Sequence, residues 1–557
     1  MIGLVSGLPH ALNNIPSNTW SPETAYLGRS WLKECLSNHD ACAKPLDHAN
    51  TKSRPKRIVR VENDAAHGLR ARLVLSETLP HDFQYLTLSH CWGTLKFITL
   101  TVGNYDDFLR RIPLDDVKFN KTFRDAFNVT LDLGYEYIWI DSLCIIQDSP
   151  GATDWNRECP KVGHIYANGV CNLSATGFGD GTNGMITKRN APALSPCPIK
   201  FPFRPRKYLV ANTVPFAEPE TDHPLISRGW VLQEHALSPR TLHFTKTQVC
   251  WACRDSAAYE LFHSHRLSSG GRHDDPKLGD FVRAKTMFGQ GASSAGQFQS
   301  ILADYRLLCK RASSAGLTMI SDKLPSLSGL VSLLQASLQT RYLAGHWESN
   351  FLPSLVWSCD PQAEAREYTG YVAPSWSWVS SSRPVTFWQH LISPEPICLS
   401  EVVEIDITLA GTDRFGALKN GHLRVRGPAL QNVASITEHY PWHIGRAELP
   451  GGLPVYFGMT PDDEEWSPPG PGQAQRKTVP SISWLRSLSW LVLFTNGDMD
   501  GAHLVNGLML ERVEAGPDTT YRRVGAFHPG PKPWRNGPRQ GVKSAILELP
   551  KKEYTII

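Results

Sequence analysis

The sequence predicts an α/β fold with parallel strands in its first half, then a helical middle and a β-rich C-terminal region. Three observations carry this. Tyr137–Ile140 is an unbroken apolar run that stops at Asp141 and Ser142, as a strand buried on both faces does. Just upstream, Phe119, Phe123, Phe127 and Leu131 recur every fourth residue and form one apolar helical stripe. Further upstream, Tyr85–Leu88 has strand character, and strand, helix, strand at this spacing is a βαβ unit with parallel strands.

With 557 residues, 41% hydrophobic and 20% charged, the chain has length for two or three domains with real cores. Seventeen tryptophans imply broad aromatic packing or an aromatic-lined site. The net charge of +4 and the lack of a Lys/Arg block argue against a nucleic-acid partner. Met1–Pro9 has no basic n-region or long apolar core, so no secretory signal is expected. Trp490–Phe494 is too short to span a bilayer, so no transmembrane segment is expected. Twelve cysteines in such a chain read as cytosolic thiols or metal ligands rather than disulfides.

Taken in order, residues 18–48 form a helical lead-in with the spacing Cys35-x3-His39-x2-Cys42, three soft ligands within reach of zinc. No fourth ligand is evident, although His48 is near, so the expectation is buried thiols and no metal. Residues 51–60 are basic and expected to be exposed, and Leu69–Leu75 reads as a strand. After Tyr85–Leu88 come Ser89, His90, Cys91 and Trp92, with Gly93 for a turn. A short helix is expected at Tyr105–Arg111. The Phe119–Leu133 helix is capped by Asn120 or Thr122 and ended by Gly134.

Asp154–Asn168 reads as a helix with Trp155, Glu158, Val162, Ile165 and Tyr166 on one broad face, interrupted by Pro160. Val170–Ser174 reads as a strand. Arg228–Leu237 reads as a helix that turns Gln233 and Glu234 to the side of Trp230, followed by a hairpin of Arg240–Phe244 and Val249–Cys253. Cys250 and Cys253 face opposite sides of that strand, which suits packing better than zinc. Residues 264–297 read as a loop or linker, Gln297–Lys310 and Leu327–Leu343 as helices, and Pro374–Trp378 as a strand with outward serines and buried tryptophans. From about residue 398 the pattern is β: Val402–Leu409, His422–Val425, Trp490–Phe494, Gly507–Val513 and Arg522–Ala526, with 461–472 as an acidic, proline-rich loop.

Ligands of parallel α/β sheets bind beyond the C-terminal strand ends, where Ser89, His90 and Cys91 are expected to meet Asp141 and Ser142. Adjacent His90 and Cys91 point to opposite faces of a strand and form no catalytic dyad; Cys144 with His90 has no support either. Asp141 suits either a ribose hydroxyl, an orienting bond to His90, or the backbone amides of its own turn.

Three ordered blocks carry a resemblance to a known family: YLTLSHCWG at 85–93, YIWIDSLCIIQD at 137–148 with DWNRE and IYAN after it, and SRGWVLQEHALSPRTLHF at 227–244. They resemble the heterokaryon incompatibility (HET) domain family of filamentous fungi. The Cys35/His39/Cys42 lead-in, DKLPSLSGL at 322–330 and APSWSW at 373–378 also resemble full-length members. The resemblance implies a lead-in at 1–84, a HET domain at 85–255, a helical linker region at 256–345 and a β-rich region at 346–557. It implies a TIR-like, flavodoxin-like sheet and a cytoplasmic role in non-self recognition and programmed cell death. Expected partners are other incompatibility or signalling proteins, or a second copy of the chain.

Some TIR domains cleave NAD, so the resemblance admits NAD as a substrate, with Glu158 as the catalytic carboxylate. Ser89, His90, Trp92, Asp141, Ser142 and Trp155 are then the ligand-binding residues. The plainer reading of Glu158 is as a cap or as the ion-pair partner of a structural arginine such as Arg228. Arg228, Gln233 and Glu234 are expected to form a polar network that fixes the third block. Pro160, Gly163 and His235 depart from the family pattern.

Overall fold

Strands with no polar alternation must find cover on both faces, and the first half of the chain solves this with one eight-stranded sheet. The computed structural model describes residues 2–5, 15–43, 54–194, 197–200, 207–212, 223–261, 285, 295–360, 363–366, 370–387, 396–431, 433–439, 442–450, 453–462, 487–497, 503–513, 520–529 and 542–557. These divide into two units. The first is Met1–Asp304 with Ser326–Ser337, and the second is Tyr305–Pro325 with Leu338–Ile557.

The strands of the first sheet are β1 (Arg57–Asp64), β2 (Gly68–Leu75), β3 (Leu86–Ser89), β4 (Tyr137–Trp139), β5 (Asn172–Ser174), β6 (Arg240–Phe244), β7 (Val249–Cys253) and β8 (Ala257–Tyr259). Their spatial order is β8-β7-β6-β5-β3-β4-β1-β2. β3 runs parallel to β4 and β5, and β5 parallel to β6. The two edges are antiparallel: β1 pairs with β4 and β2 on one side, and β7 pairs with β6 and β8 on the other. The parallel expectation therefore holds for the centre alone, and the whole sheet is mixed. Every residue of β3, β5 and β6 is buried.

Helix α1 (Pro22–Asn38) is N-capped by Ser21, whose side chain accepts from Thr24 N. Helix α2 (Lys121–Asp132) carries the aromatic stripe. Asn120 caps it, Phe119, Phe123 and Phe127 are buried, and Gly134 ends it at φ +88°. The single helix expected over 154–168 is broken. It consists of α3 (Thr153–Glu158), a 3-10 turn at Cys159–Lys161 and α4 (Val162–Asn168). Pro160 sits in the 3-10 turn, because its ring and missing N–H exclude a helix interior. Helix α5 (Gly229–Leu237) carries the third block, and α6 (Pro325–Leu338) ends before the expected Leu343.

Residues 54–60 are not an exposed basic stretch. Arg57, Ile58 and Val59 are buried in β1, and the Arg57 guanidinium ion-pairs with Asp154 while its Nε donates to the Cys144 carbonyl at 2.7 Å. A buried arginine with a carboxylate and a carbonyl for its donors is compatible with a core strand. The loop expected at 264–297 falls mostly outside the described residues, as does His48.

The second unit is β-rich. Its large sheet has the path Ile397–Cys398, Ser489–Gly497, Leu418–Leu430, Lys551–Ile556, Thr520–Pro529, Leu453–Pro461, Trp442–Leu449, Ala434–His439. Strand Lys551–Ile556 is interior, antiparallel to Leu418–Leu430 and parallel to Thr520–Pro529. Pro374–Trp378 is not the strand the alternation predicts. Trp376, Ser377 and Trp378 are all buried, and Ser377 caps a 3-10 turn at Trp378–Ser380 while donating to the Ala344 carbonyl at 2.6 Å. Among the described residues, no helix is long and apolar enough to cross a membrane.

Candidate functional site

β3 and β4 end side by side, and each end carries a polar group. Asp141 opens a single helical turn, Asp141–Cys144, and its Oδ1 accepts from its neighbour's amide, Ser142 N, at 2.7 Å. Its Oδ2 accepts from Trp92 Nε1 at 3.1 Å, and His90 Nδ1 lies 3.8 Å from Oδ1. Trp92 packs edge-on against Phe97, with ring centroids 5.7 Å apart. The Asp141 side chain keeps 33% exposure, whereas that of His90 keeps 2%. Asp141 thus serves its own turn, stands near His90 and keeps solvent contact.

The third block comes to the same edge. Arg228 Nη1 donates to the His90 carbonyl at 2.7 Å. Glu234 accepts from Tyr166 OH at 3.0 Å and is hydrogen-bonded to the Ser89 side chain. Asn172 Nδ2, on β5, donates to Ser89 Oγ at 2.9 Å. The single Ser89 proton has two acceptors, Asn172 Oδ1 at 3.3 Å and the Glu234 carboxylate. The chain of bonds therefore runs Asn172, Ser89, Glu234, Tyr166, from the first residue of β5 past the end of β3 to α4.

Burial pushes the Glu234 carboxyl up to about 7, and the nearby Asp141 charge adds to this; Ser89, Arg228 and Tyr166 oppose it. A carboxyl near 7 can give or take a proton at neutral pH. The Tyr166 hydroxyl has two acceptors at 3.0 Å, Glu234 Oε2 and the Leu88 carbonyl. With Glu234 ionised the tyrosine proton belongs on the carboxylate, and with Glu234 protonated it can turn to Leu88. Burial lowers His90 to about 4, so its ring is neutral at neutral pH. Its Nε2 is buried without a hydrogen-bond partner among the described residues. Burial also raises the Cys91 thiol to about 11 and Cys144 to about 12, which leaves neither as a ready thiolate.

Glu158 stands apart from this chain of bonds. It is 2% exposed, accepts from Lys161 Nζ at 2.7 Å on one oxygen and from the Lys56 amide at 3.3 Å on the other. Its partner is a lysine one turn away rather than Arg228. Trp155 packs edge-on against Trp230, with centroids 5.7 Å apart. Ser142 is buried, its hydroxyl without a partner among the described residues. Gln233 accepts from the amide of Gly329 on α6 at 2.7 Å, so it leaves the expected network with Arg228 and Glu234. His235 is buried, with Nε2 2.9 Å from Ser174 Oγ.

Residues 85–234 match the family model described as Heterokaryon incompatibility protein (HET). The chain carries a HET domain. The matched HET segment begins at Tyr85, just before β3, and ends at Glu234, so it contains Ser89, His90, Asp141, Tyr166, Asn172 and Arg228 as well. No curated protein and no solved structure matches the chain.

Sequence reasoning missed Tyr166 and Asn172 as members of the HET domain's polar edge. The signal for Asn172 was an amide inside an otherwise apolar strand, which needs a partner when buried. A second cluster, built from Cys35, His39, Cys42 and Cys253, lies outside this edge, and only its fourth member was unforeseen.

Proposed function

We propose that this chain acts in heterokaryon incompatibility as a cytoplasmic trigger of programmed cell death, with its HET domain as a switch set at the Ser89–Asp141–Glu234 edge. The supporting observation is convergence. Three motif blocks far apart in the sequence deliver Ser89 and His90, Asp141, and Arg228 and Glu234 to one place. Burying a carboxylate costs free energy that hydrogen bonds offset only in part, which keeps the charged and neutral forms of Glu234 close in energy. A carboxyl near 7 with a two-way tyrosine proton has two close-lying arrangements, and a ligand or partner that prefers one would shift the other. Expected partners are a further signalling protein or a second copy of the chain.

A second reading, cleavage of NAD, is favoured by one observation and moved by another. In chain order the parallel strands lie 2-1-3-4, the order of flavodoxin-like sheets, whose ligands sit at the crevice between the first and third strands. Here Ser89 and Ser174, the paired last residues of the first and third strands, stand at that crevice. An NAD-cleaving enzyme needs a carboxylate near the developing oxocarbenium charge. Glu234 stands at this edge, and Glu158 is already paired.

The test is inducible expression in a filamentous fungus of wild type, Glu234→Gln, Asp141→Asn and Glu158→Gln, scored for viability, with NAD assayed on the purified proteins. The expectation is that Glu234→Gln and Asp141→Asn suppress death about 10-fold or more while Glu158→Gln kills like wild type. Death without NAD loss identifies the switch. NAD loss abolished by Glu234→Gln identifies the enzyme. Full killing by both edge variants, shown folded, rejects the edge as the working part.

A further inference from the structure

The lead-in helix ends in a tight turn built to gather ligands. Cys35 lies in the last turn of α1, His39 is its C-cap residue, and the His39 amide bonds back to the Cys35 carbonyl at 3.3 Å. The Cys42 amide then bonds to the His39 carbonyl at 2.9 Å, in the short helix Asp40–Ala43. The chain thus wraps Cys35, His39 and Cys42 around one point. The fourth group, Cys253, arrives at the end of β7, 214 residues beyond His39. One ligand atom from each of the four lies within 4.8 Å of the others, and all four residues are buried.

The surroundings are those of metal ligands rather than packed thiols. His39 Nδ1 faces Cys253 Sγ at 3.4 Å, while Nε2 is turned to Asp255 Oδ2 at 3.5 Å. A carboxylate near the far nitrogen favours the tautomer with its proton there, which turns the lone pair on the near nitrogen toward the sulfurs. Ser256 N donates to Cys253 Sγ at 3.2 Å, and Arg240 Nε donates to Cys35 Sγ at 3.1 Å. Neutral thiols are weak acceptors, and such donors suit thiolates. Arg240 Nη2 also donates to the Cys42 carbonyl at 3.1 Å, and Arg254 Nη1 to the Ala41 carbonyl at 3.4 Å. Both arginines are buried, and their charges offset the surplus negative charge of three thiolates around a divalent cation.

We propose that Cys35, His39, Cys42 and Cys253 form a tetrahedral structural zinc site. Three thiolates and one imidazole complete a closed coordination shell with no position left for substrate. Zn–S bonds of about 2.3 Å place tetrahedral sulfurs about 3.8 Å apart, so no pair has to close by more than about 1 Å on binding. Binding releases the protons of those three side chains that are still thiols. Soft sulfur donors in a tetrahedron select zinc over magnesium or calcium. The site clips α1 to the strand that follows the third motif block and closes a loop of more than 200 residues. It is independent of the polar edge proposed above.

The test is metal analysis of the full chain, expressed with zinc supplied, by plasma mass spectrometry and zinc-edge X-ray absorption. About one zinc per chain with a three-sulfur, one-nitrogen shell is expected. Cys253→Ser should lose the metal, His39→Cys should keep it, and Asp255→Asn should keep it with roughly 10- to 100-fold weaker affinity against a chelator. Cobalt(II) exchanged into wild type should give the visible bands of a tetrahedral thiolate complex. The proposal is overturned if folded wild type binds no zinc, if iron replaces it, or if the absorption spectrum shows only oxygen and nitrogen neighbours. The wild-type measurements stand whether or not Cys253→Ser folds.

Discussion

Gly163 on α4 and Gly329 on α6 meet backbone to backbone: a β-carbon placed on Gly163 would lie 2.8 Å from the Gly329 Cα and 3.0 Å from Leu237 Cδ1. Gly163 therefore departs from the helix-forming pattern for a packing reason. Alanine at this position gains about 1 kcal/mol in helix propensity and meets a backbone atom that cannot swing away. Gly163→Ala should be destabilising by about 1–2 kcal/mol in urea unfolding. A stabilised variant would show that the two helices part easily.

Asp154 accepts from the Ile146 amide at 2.8 Å and ion-pairs with buried Arg57. Removing its charge leaves a guanidinium in the core without its counterion. Asp154→Asn should cost about 3–5 kcal/mol, and adding Arg57→Met should recover a large part of the loss. Equal, additive losses in the double-mutant cycle would mean that the pair is uncoupled.

The raised Glu234 carboxyl has a pH signature. Its ordinary value is 4.5 and its folded value is about 7, so the native chain holds this proton more tightly than the unfolded chain. That contribution is full below pH 4.5 and is lost as pH rises through 7. Glu234→Gln stays neutral throughout. Its stability relative to wild type should rise across that window by up to about 2 kcal/mol, allowing for the side chain's partial solvent contact. Tm series for the two proteins that run parallel from pH 4.5 to 8 would count against it.

In the second unit, the Arg523 guanidinium lies 3.3 Å over the Trp357 ring, donates to the Trp357 carbonyl and ion-pairs with Asp462. A lysine keeps the charge and loses both the flat stacking face and the fork of donors. Arg523→Lys should lower the stability of this unit by about 2 kcal/mol. An unchanged unfolding midpoint would show that the stacking face and the donor fork add no stability.

Periodicity made the centre of the first sheet legible. The apolar run at 137–140 and the phenylalanine stripe of α2 each admit one placement, and both formed as spaced. Local pattern says little where a long-range partner decides. Arg57 reads as a surface residue until Asp154 is beside it. Pro374–Trp378 alternates like a strand, yet Ser377 finds the Ala344 carbonyl and turns inward. Glu158 and Glu234 look alike as helical carboxylates, and only the fold reveals that Lys161 occupies the first while Ser89 and Tyr166 surround the second. Cys253 illustrates the same limit, since its companions lie two hundred residues upstream.

Strand Lys551–Ile556 lies between Leu418–Leu430 and Thr520–Pro529. All eight strands of the first sheet, by contrast, precede residue 260. A ribosome making this chain can thus hand over every strand of the HET-bearing sheet while the second unit's sheet still lacks an interior member. A nonsense mutation just ahead of Lys551 would leave the strands of the first sheet intact and open the second sheet at its middle. Late truncation alleles therefore offer geneticists a way to separate the two units without cutting the gene in half.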